Sequence, residues 1–187
     1  QPDHQPAPVA PTPTGATGTG DDASSAQREP FRPASQDDLA PPGATAKLRA
    51  NLDALEIVRR CRDEDRAANP AEQAALARWA GWGSIPQVFD DLDERFAAER
   101  AQIRQLLGTE EAWSQARRTT LNAHYTSASV VTAMWSAVRD LGVGGPVRVL
   151  EPGCGSGNFL GFAPPDAVLT GVELDATTAT IARHLYG

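Results

Sequence analysis

The sequence predicts a mixed α/β fold: a disordered N-terminal tail, a helical lead-in and the first part of a parallel sheet. Three observations carry that expectation. Apolar residues recur at helical spacing over much of 45–121. The run Val147-Arg148-Val149-Leu150 reads as a buried strand that enters Glu151-Pro152-Gly153-Cys154-Gly155-Ser156-Gly157-Asn158-Phe159, a glycine-rich turn opening a helix. A second strand starts at Val168 and carries Glu173 near its end, sixteen residues after Gly157.

The elements follow in chain order. Residues 1–44 hold nine of the fifteen prolines, among Ala, Thr, Ser, Gly and Asp. Apolar surface is too sparse there to offset the entropy of ordering, so a disordered tail is expected. From Thr45, Leu48, Leu52, Leu55 and Val58 mark one amphipathic helix running to about Arg66. Asn69-Pro70-Ala71-Glu72 is a second helix start: Asn caps, Pro fills the first turn and Glu72 reaches back. That helix presents Leu76 and Trp79 and ends at Gly81, where Gly81-Trp82-Gly83-Ser84-Ile85-Pro86 forms a tight loop anchored by its aromatic ring. Further helices are expected over 91–107 and 110–121, which makes 45–121 an all-helical lead-in.

The third unit, 122–187, restarts at His124-Tyr125-Thr126-Ser127. Thr126 or Ser127 can cap the next helix, whose expected buried face is Val130, Val131, Met134, Trp135 and Val138. Leu141-Gly142 ends it, and Gly144-Gly145-Pro146 turns into the first strand. Ala176 to Tyr186 forms the last helix, with Ile181, Ala182 and Leu185 inward.

Charge and cysteine usage exclude several classes. The chain has 17 Lys+Arg against 24 Asp+Glu, a net charge of −7, and −3 of this lies beyond residue 44. No basic block supports an independent nucleic-acid-binding module. Cys61 and Cys154 fit neither a disulfide framework nor a zinc site, and His4, His124 and His184 have no ligand spacing, so no metal is expected. A reducing cytoplasm is the expected compartment. No apolar run approaches the ~20 residues that span a bilayer. Gln1 opens no signal peptide, and the one methionine is Met134, so a processed product or a piece of a longer protein is expected.

Strand, Gly-x-Gly-x-Gly, helix, strand and acid together describe a sheet that holds an adenosine-bearing cofactor. Glycines let the backbone approach the ligand, and Glu173 can accept both protons of a vicinal ribose diol. Gly153, Gly155 and Gly157 are spaced differently from the Gly-x-Gly-x-x-Gly of dinucleotide enzymes. No diphosphate needs a cradle if the cofactor is S-adenosylmethionine, whose amino-acid end sits against the loop. Glu151 at the strand tip can meet that end's ammonium, or serve as a capping or solvated acid. Asp175 is read as a helix cap. Trp79, Trp82, Trp113 and Trp135 are read as core anchors, and Cys154, without a base beside it, as a small loop residue.

His124-Tyr125-Thr126, an amphipathic helix, Leu150-Glu151-Pro152-Gly153-Cys154-Gly155-Ser156-Gly157-Asn158-Phe159-Leu160 and Gly171-Val172-Glu173-Leu174-Asp175 together resemble the amino-terminal part of adenine-specific, amino-directed DNA methyltransferases. Ser127 stands where that family has a proline. The Gly81-Trp82-Gly83 loop further resembles phage- and plasmid-borne proteins that join such a methylase to a helicase. The resemblance covers roughly 75–187. It implies a Rossmann-like methyltransferase sheet, incomplete here, S-adenosyl-L-methionine as cofactor, and a place in DNA methylation and restriction-modification. The cofactor residues it implies are Tyr125, Thr126, Glu151, Pro152, Gly153, Gly155, Gly157, Asn158, Phe159, Glu173 and Leu174.

That family needs an Asp/Asn/Ser-Pro-Pro-aromatic turn to accept the target amine's protons and stack on a flipped base. Asn69-Pro70 is followed by Ala71-Glu72 and does not match. No catalytic residue is therefore assigned, and no turnover is expected of this chain alone. The complete protein would act on DNA, and the chain is expected to be loosely folded or to depend on a missing C-terminal half. Two alternatives remain: a non-catalytic remnant or interaction fragment, and a methyltransferase acting on RNA or a small molecule.

Overall fold

A computed structural model of the protein describes residues 29–121 and 123–187. Among the described residues, seven α-helices accompany one two-stranded parallel sheet: α1 (Ala44–Asp63), α2 (Pro70–Leu76), α3 (Ala97–Leu107), α4 (Glu110–Thr119), α5 (Ala128–Asp140), β1 (Arg148–Pro152), α6 (Asn158–Gly161), β2 (Val168–Val172) and α7 (Ala176–Tyr186).

Local chemistry accounts for several boundaries. Asn69 caps α2 as expected: its side chain accepts from the Glu72 amide, and Glu72 accepts from the Asn69 amide. Arg66 bonds Glu72 bidentately, at 2.6 and 2.8 Å, and holds its carboxyl far below the usual range, at about 2. α1 stops at Asp63 rather than near Arg66, with Asp65 in the left-handed region at φ 45°. α2 ends at Leu76, and the chain reaches Gly81 through a tighter turn. α3 begins at Ala97, later than expected, because Asp93 caps a short 3₁₀ turn over Glu94–Phe96.

The lead-in and the last helix share one core. Leu55, Leu76, Trp79, Trp82, Ile85, Val88, Phe89, Ile103 and Trp113 are buried together with Ile181 and Leu185 of α7. Within it the aromatic rings meet in series: Trp79 on Trp82 at 5.5 Å, Trp82 on Phe89 at 5.3 Å and Phe89 on Trp113 at 4.6 Å. Such aromatic contacts, two edge-on and the last tilted, contribute about 0.5–1.5 kcal/mol each beyond area burial. Asn51, fully buried, pins the Gly81 turn by donating to the Gly81 carbonyl at 2.7 Å and accepting from the Ala80 amide at 2.9 Å.

The disordered-tail expectation is corrected for 29–44, while 1–28 lies outside the described residues. The Phe31 amide donates to the Leu185 carbonyl at 2.8 Å, and Arg32 donates to the Ala163 carbonyl at 2.9 Å. Leu39, Pro33 and Pro41 are buried. These proline-rich residues form a strap whose order comes from long-range contacts, not from local periodicity.

β1 and β2 pair in parallel, with Leu150 opposite Thr170 and Glu151 opposite Gly171. Val149, Glu151 and Leu169 lie half-buried on one face. The other face carries Leu150, Val168 and Val172, which are 64%, 59% and 53% exposed. Parallel strands are normally covered on both faces; here one apolar face is open. The expected buried face of α5 is corrected in the same way. Val131 is buried, but Val130 and Met134 are about half exposed, because α5 packs on α6 rather than into a layer on both sides.

Candidate functional site

The C-terminal ends of both strands open into a cleft of about 780 Å³. Its floor is Glu151 to Gly155. Asn158 and Phe159 at the start of α6, Glu173 to Asp175 after β2, and Ala123 to Thr126 close it. Of the residues named from the sequence, Gly157 alone does not line it. Its φ of 93° starts α6, and a Cβ there would fall 2.4 Å from the Tyr186 ring, so Gly157 supports the loop from beneath.

The loop is built on the end of β2. The amides of Gly153 and Cys154 both donate to the Val172 carbonyl, at 2.7 and 3.0 Å. Cys154 is buried against Gly171, where a Cβ would lie 2.8 Å from its sulfur; it fills space, and burial pushes its thiol up. Gly153 has φ 74°, and a Cβ on it would meet nothing within 4 Å, so its outer side is bare backbone at the cleft. A ligand can therefore approach the main chain closely.

Glu173 anchors the loop. One carboxylate oxygen accepts from the Gly155 amide at 3.0 Å and the other from the Asp175 amide at 2.8 Å. Each oxygen keeps a lone pair for a further donor. Asp175 caps α7 by accepting from the Thr178 amide at 2.8 Å, as read from the sequence.

Glu151 is the electrostatic feature of the site. Its Oε2 is buried without a hydrogen-bond partner among the described residues, and burial alone pushes the carboxyl up to about 7. A buried acid without a partner is costly unless something cationic or hydrogen-bonding reaches it. This fits the ammonium of an amino-acid group.

Three contacts hold the 125–128 segment beside the loop. The side chain of Asn158 donates to the Thr126 carbonyl at 2.8 Å, so it fastens the 125–126 segment over the loop. The Tyr125 hydroxyl points into the core, where it accepts from Trp79 Nε1 at 3.0 Å, and burial pushes it up to about 12. Ser127 makes no side-chain cap on α5; Gln36 from the strap accepts from the Ala128 amide at 2.9 Å instead. Trp135 ties α5 to α6 by donating to the Phe159 carbonyl at 3.0 Å.

Sequence reasoning missed the wall that α4 contributes. Gln115, Arg118 and Thr119 line the cleft beside Ala123 and Thr178. Their spacing marks a polar stripe beside the buried Trp113 and Ala116, just before the 123–126 segment, and that position was the available signal. Among the described residues, no cluster of His, Cys, Asp and Glu could hold a metal ion, and no helix is long and apolar enough to cross a membrane.

Over 66 residues the chain is 42% identical to the Type II methyltransferase M.XamI of Xanthomonas campestris pv. amaranthicola. That stretch is 33% of this chain and 12% of the relative, so the chain matches a small part of that protein's length. No family model matches the chain, and no solved structure matches it. The partial likeness supports a methyltransferase-like function.

Proposed function

We propose that this chain carries the S-adenosylmethionine-binding part of a DNA methyltransferase whose complete form methylates the exocyclic amine of adenine. The reading assigns the cleft an adenosine-bearing cofactor. Glu173 would accept from the ribose hydroxyls, the bare backbone at Gly153 would lie under the amino-acid end, and Glu151 would face its ammonium. Pro152, Gly155 and Thr126 would shape the wall, and Phe159 and Leu174 would supply apolar surface. When bound, the cofactor supplies an electrophilic methyl group.

The observation that carries this reading is the convergence on one cleft of a carboxylate anchored for a diol, an unpartnered buried carboxylate and open backbone. The likeness to a Type II methyltransferase supports the same class. Adenine as target, and the Rossmann-like sheet beyond two strands, rest on the motif resemblance. So does membership of the methylase–helicase type, through Gly81-Trp82-Gly83. The residues that would accept the target amine's protons have no match in this sequence.

The open apolar face of β1 and β2 would suit a covering layer from the rest of such a domain. Calorimetric titration of the chain with S-adenosylmethionine, S-adenosylhomocysteine and NADH tests the cofactor. Binding of the first two without the third is expected, and preference for NADH would overturn the reading. Transfer of labelled methyl to adenine in DNA by a polypeptide extended past Gly187 tests the target. Label found on cytosine or on RNA instead would refute it.

A further inference from the structure

We propose that Tyr125 is a positioning residue through which the helical lead-in sets the shape of the glycine loop, so that cofactor affinity depends on Gly81 and Trp79. This rests on the reading of the cleft as a cofactor site. The Tyr125 ring is wedged between two glycines from distant parts of the chain. A Cβ on Gly81 would lie 2.9 Å from Tyr125 Cε2, and one on Gly155 would lie 2.6 Å from Cε1 on the opposite ring edge. Both glycines have left-handed backbones, at φ 62° and 58°, which side-chain-bearing residues adopt at a cost.

Each end of this stack is fixed. On the lead-in side, Asn51 holds the Gly81 turn through two hydrogen bonds, and a Cβ on Gly83 would fall 2.5 Å from the Ala123 carbonyl oxygen. Trp79 Nε1 donates to the Tyr125 hydroxyl and reaches Thr178 Oγ1 at 3.2 Å, so one indole ties the 125 segment to the start of α7. On the loop side, the Gly155 amide donates to Glu173, and Asn158 holds the Thr126 carbonyl. A path of contacts therefore runs from Asn51 through Gly81, Tyr125 and Gly155 to the carboxylate assigned to the ribose. Simple hole-filling by an aromatic ring would use the same burial. It would not make a change at Gly81 felt at Gly155.

The test uses the 187-residue chain and compares Gly81→Ala, Trp79→Phe and Gly108→Ala. Gly108 has φ 79° and nothing within 4 Å of an added Cβ, so Gly108→Ala carries similar backbone strain without touching the stack. Two quantities are read: affinity for S-adenosylmethionine by calorimetry, and the amide resonance of Gly155 without ligand. Gly81→Ala is expected to weaken binding about tenfold, equivalent to about 1.4 kcal/mol, and to displace the Gly155 resonance. Trp79→Phe, which keeps a ring and removes the indole donor, displaces it in the same way. Gly108→Ala leaves both unchanged. Wild-type affinity and an unmoved Gly155 in both stack variants would overturn the proposal, as would an equal loss in Gly108→Ala. If the unaltered chain binds no S-adenosylmethionine, the cofactor reading fails by itself. The Gly155 resonance then decides the coupling: displaced by both stack variants it stands, and unmoved it falls.

Discussion

Replacing Glu173 by glutamine separates its structural role from its proposed ligand role. The carboxylate accepts two backbone amides, from Gly155 at 3.0 Å and Asp175 at 2.8 Å. Glutamine keeps one acceptor oxygen and turns an NH₂ group toward the other N–H, so one bond becomes a donor facing a donor. A hydrogen bond to a charged acceptor contributes about 1.5–3 kcal/mol, and partial exposure of the site places the expected loss of stability near the lower end, at about 2 kcal/mol. For a chain of this size that lowers Tm by roughly 4–8 °C. Bound ribose hydroxyls would lose their charged acceptor as well, which predicts a further roughly 10–100-fold loss of affinity for S-adenosylmethionine. A thermal melt reads the first effect and calorimetry the second. Reduced Tm with unchanged affinity would refute the ribose assignment, and unchanged Tm would refute the loop-anchor geometry.

Three other perturbations read other parts of the structure. Burial raises the Glu151 carboxyl from its ordinary 4.5 to about 7. The folded chain therefore holds a proton that the unfolded chain releases, and Glu151 makes stability fall as pH rises through that window; Glu151→Gln should flatten the fall. A bound ammonium favours the ionised form, so binding near pH 6 should release a proton and tighten toward pH 8; calorimetry in buffers of different ionisation enthalpy showing no release would contradict this. Leu150→Asp, at a position 64% exposed, should change the stability of this chain by less than about 0.5 kcal/mol. In a polypeptide carrying the rest of the sheet it should cost at least about 2 kcal/mol, and comparison of the two denaturant curves checks both. Gln36→Ala removes the acceptor for the Ala128 amide and should cost about 1 kcal/mol, with faster hydrogen exchange in the first turn of α5.

Features set by neighbours in sequence were legible from the chain alone. The capping box at Asn69 and Glu72, the cap at Asp175, the helix end at Leu141-Gly142 and the strand–glycine–helix order of the loop all depend on residues within a few positions of one another. Features set by distant partners were not. Phe31 and Arg32 are ordered by carbonyls at the ends of α7 and α6, and nothing in a proline-rich stretch signals that. The Tyr125 hydroxyl turns inward because Trp79, 46 residues earlier, supplies a donor there. The amphipathic pattern of α5 marks an apolar face correctly, yet a pattern cannot say whether the covering layer is present, and here Val130 and Met134 remain half exposed. The α4 wall was missed for a related reason: a polar stripe reads as solvated until the segment after it folds back.

The central claim is that the cleft between the glycine loop and Glu173 holds S-adenosylmethionine. Titrating the isotope-labelled chain with S-adenosylmethionine while following backbone amide resonances tests it most directly. Saturable shifts at 151–159 and 173–178, absent in Glu173→Ala, are the expected result. No shift at millimolar ligand in the folded chain, or shifts confined to the separate hollow lined by Asp90, Asp91 and Arg117, would contradict it.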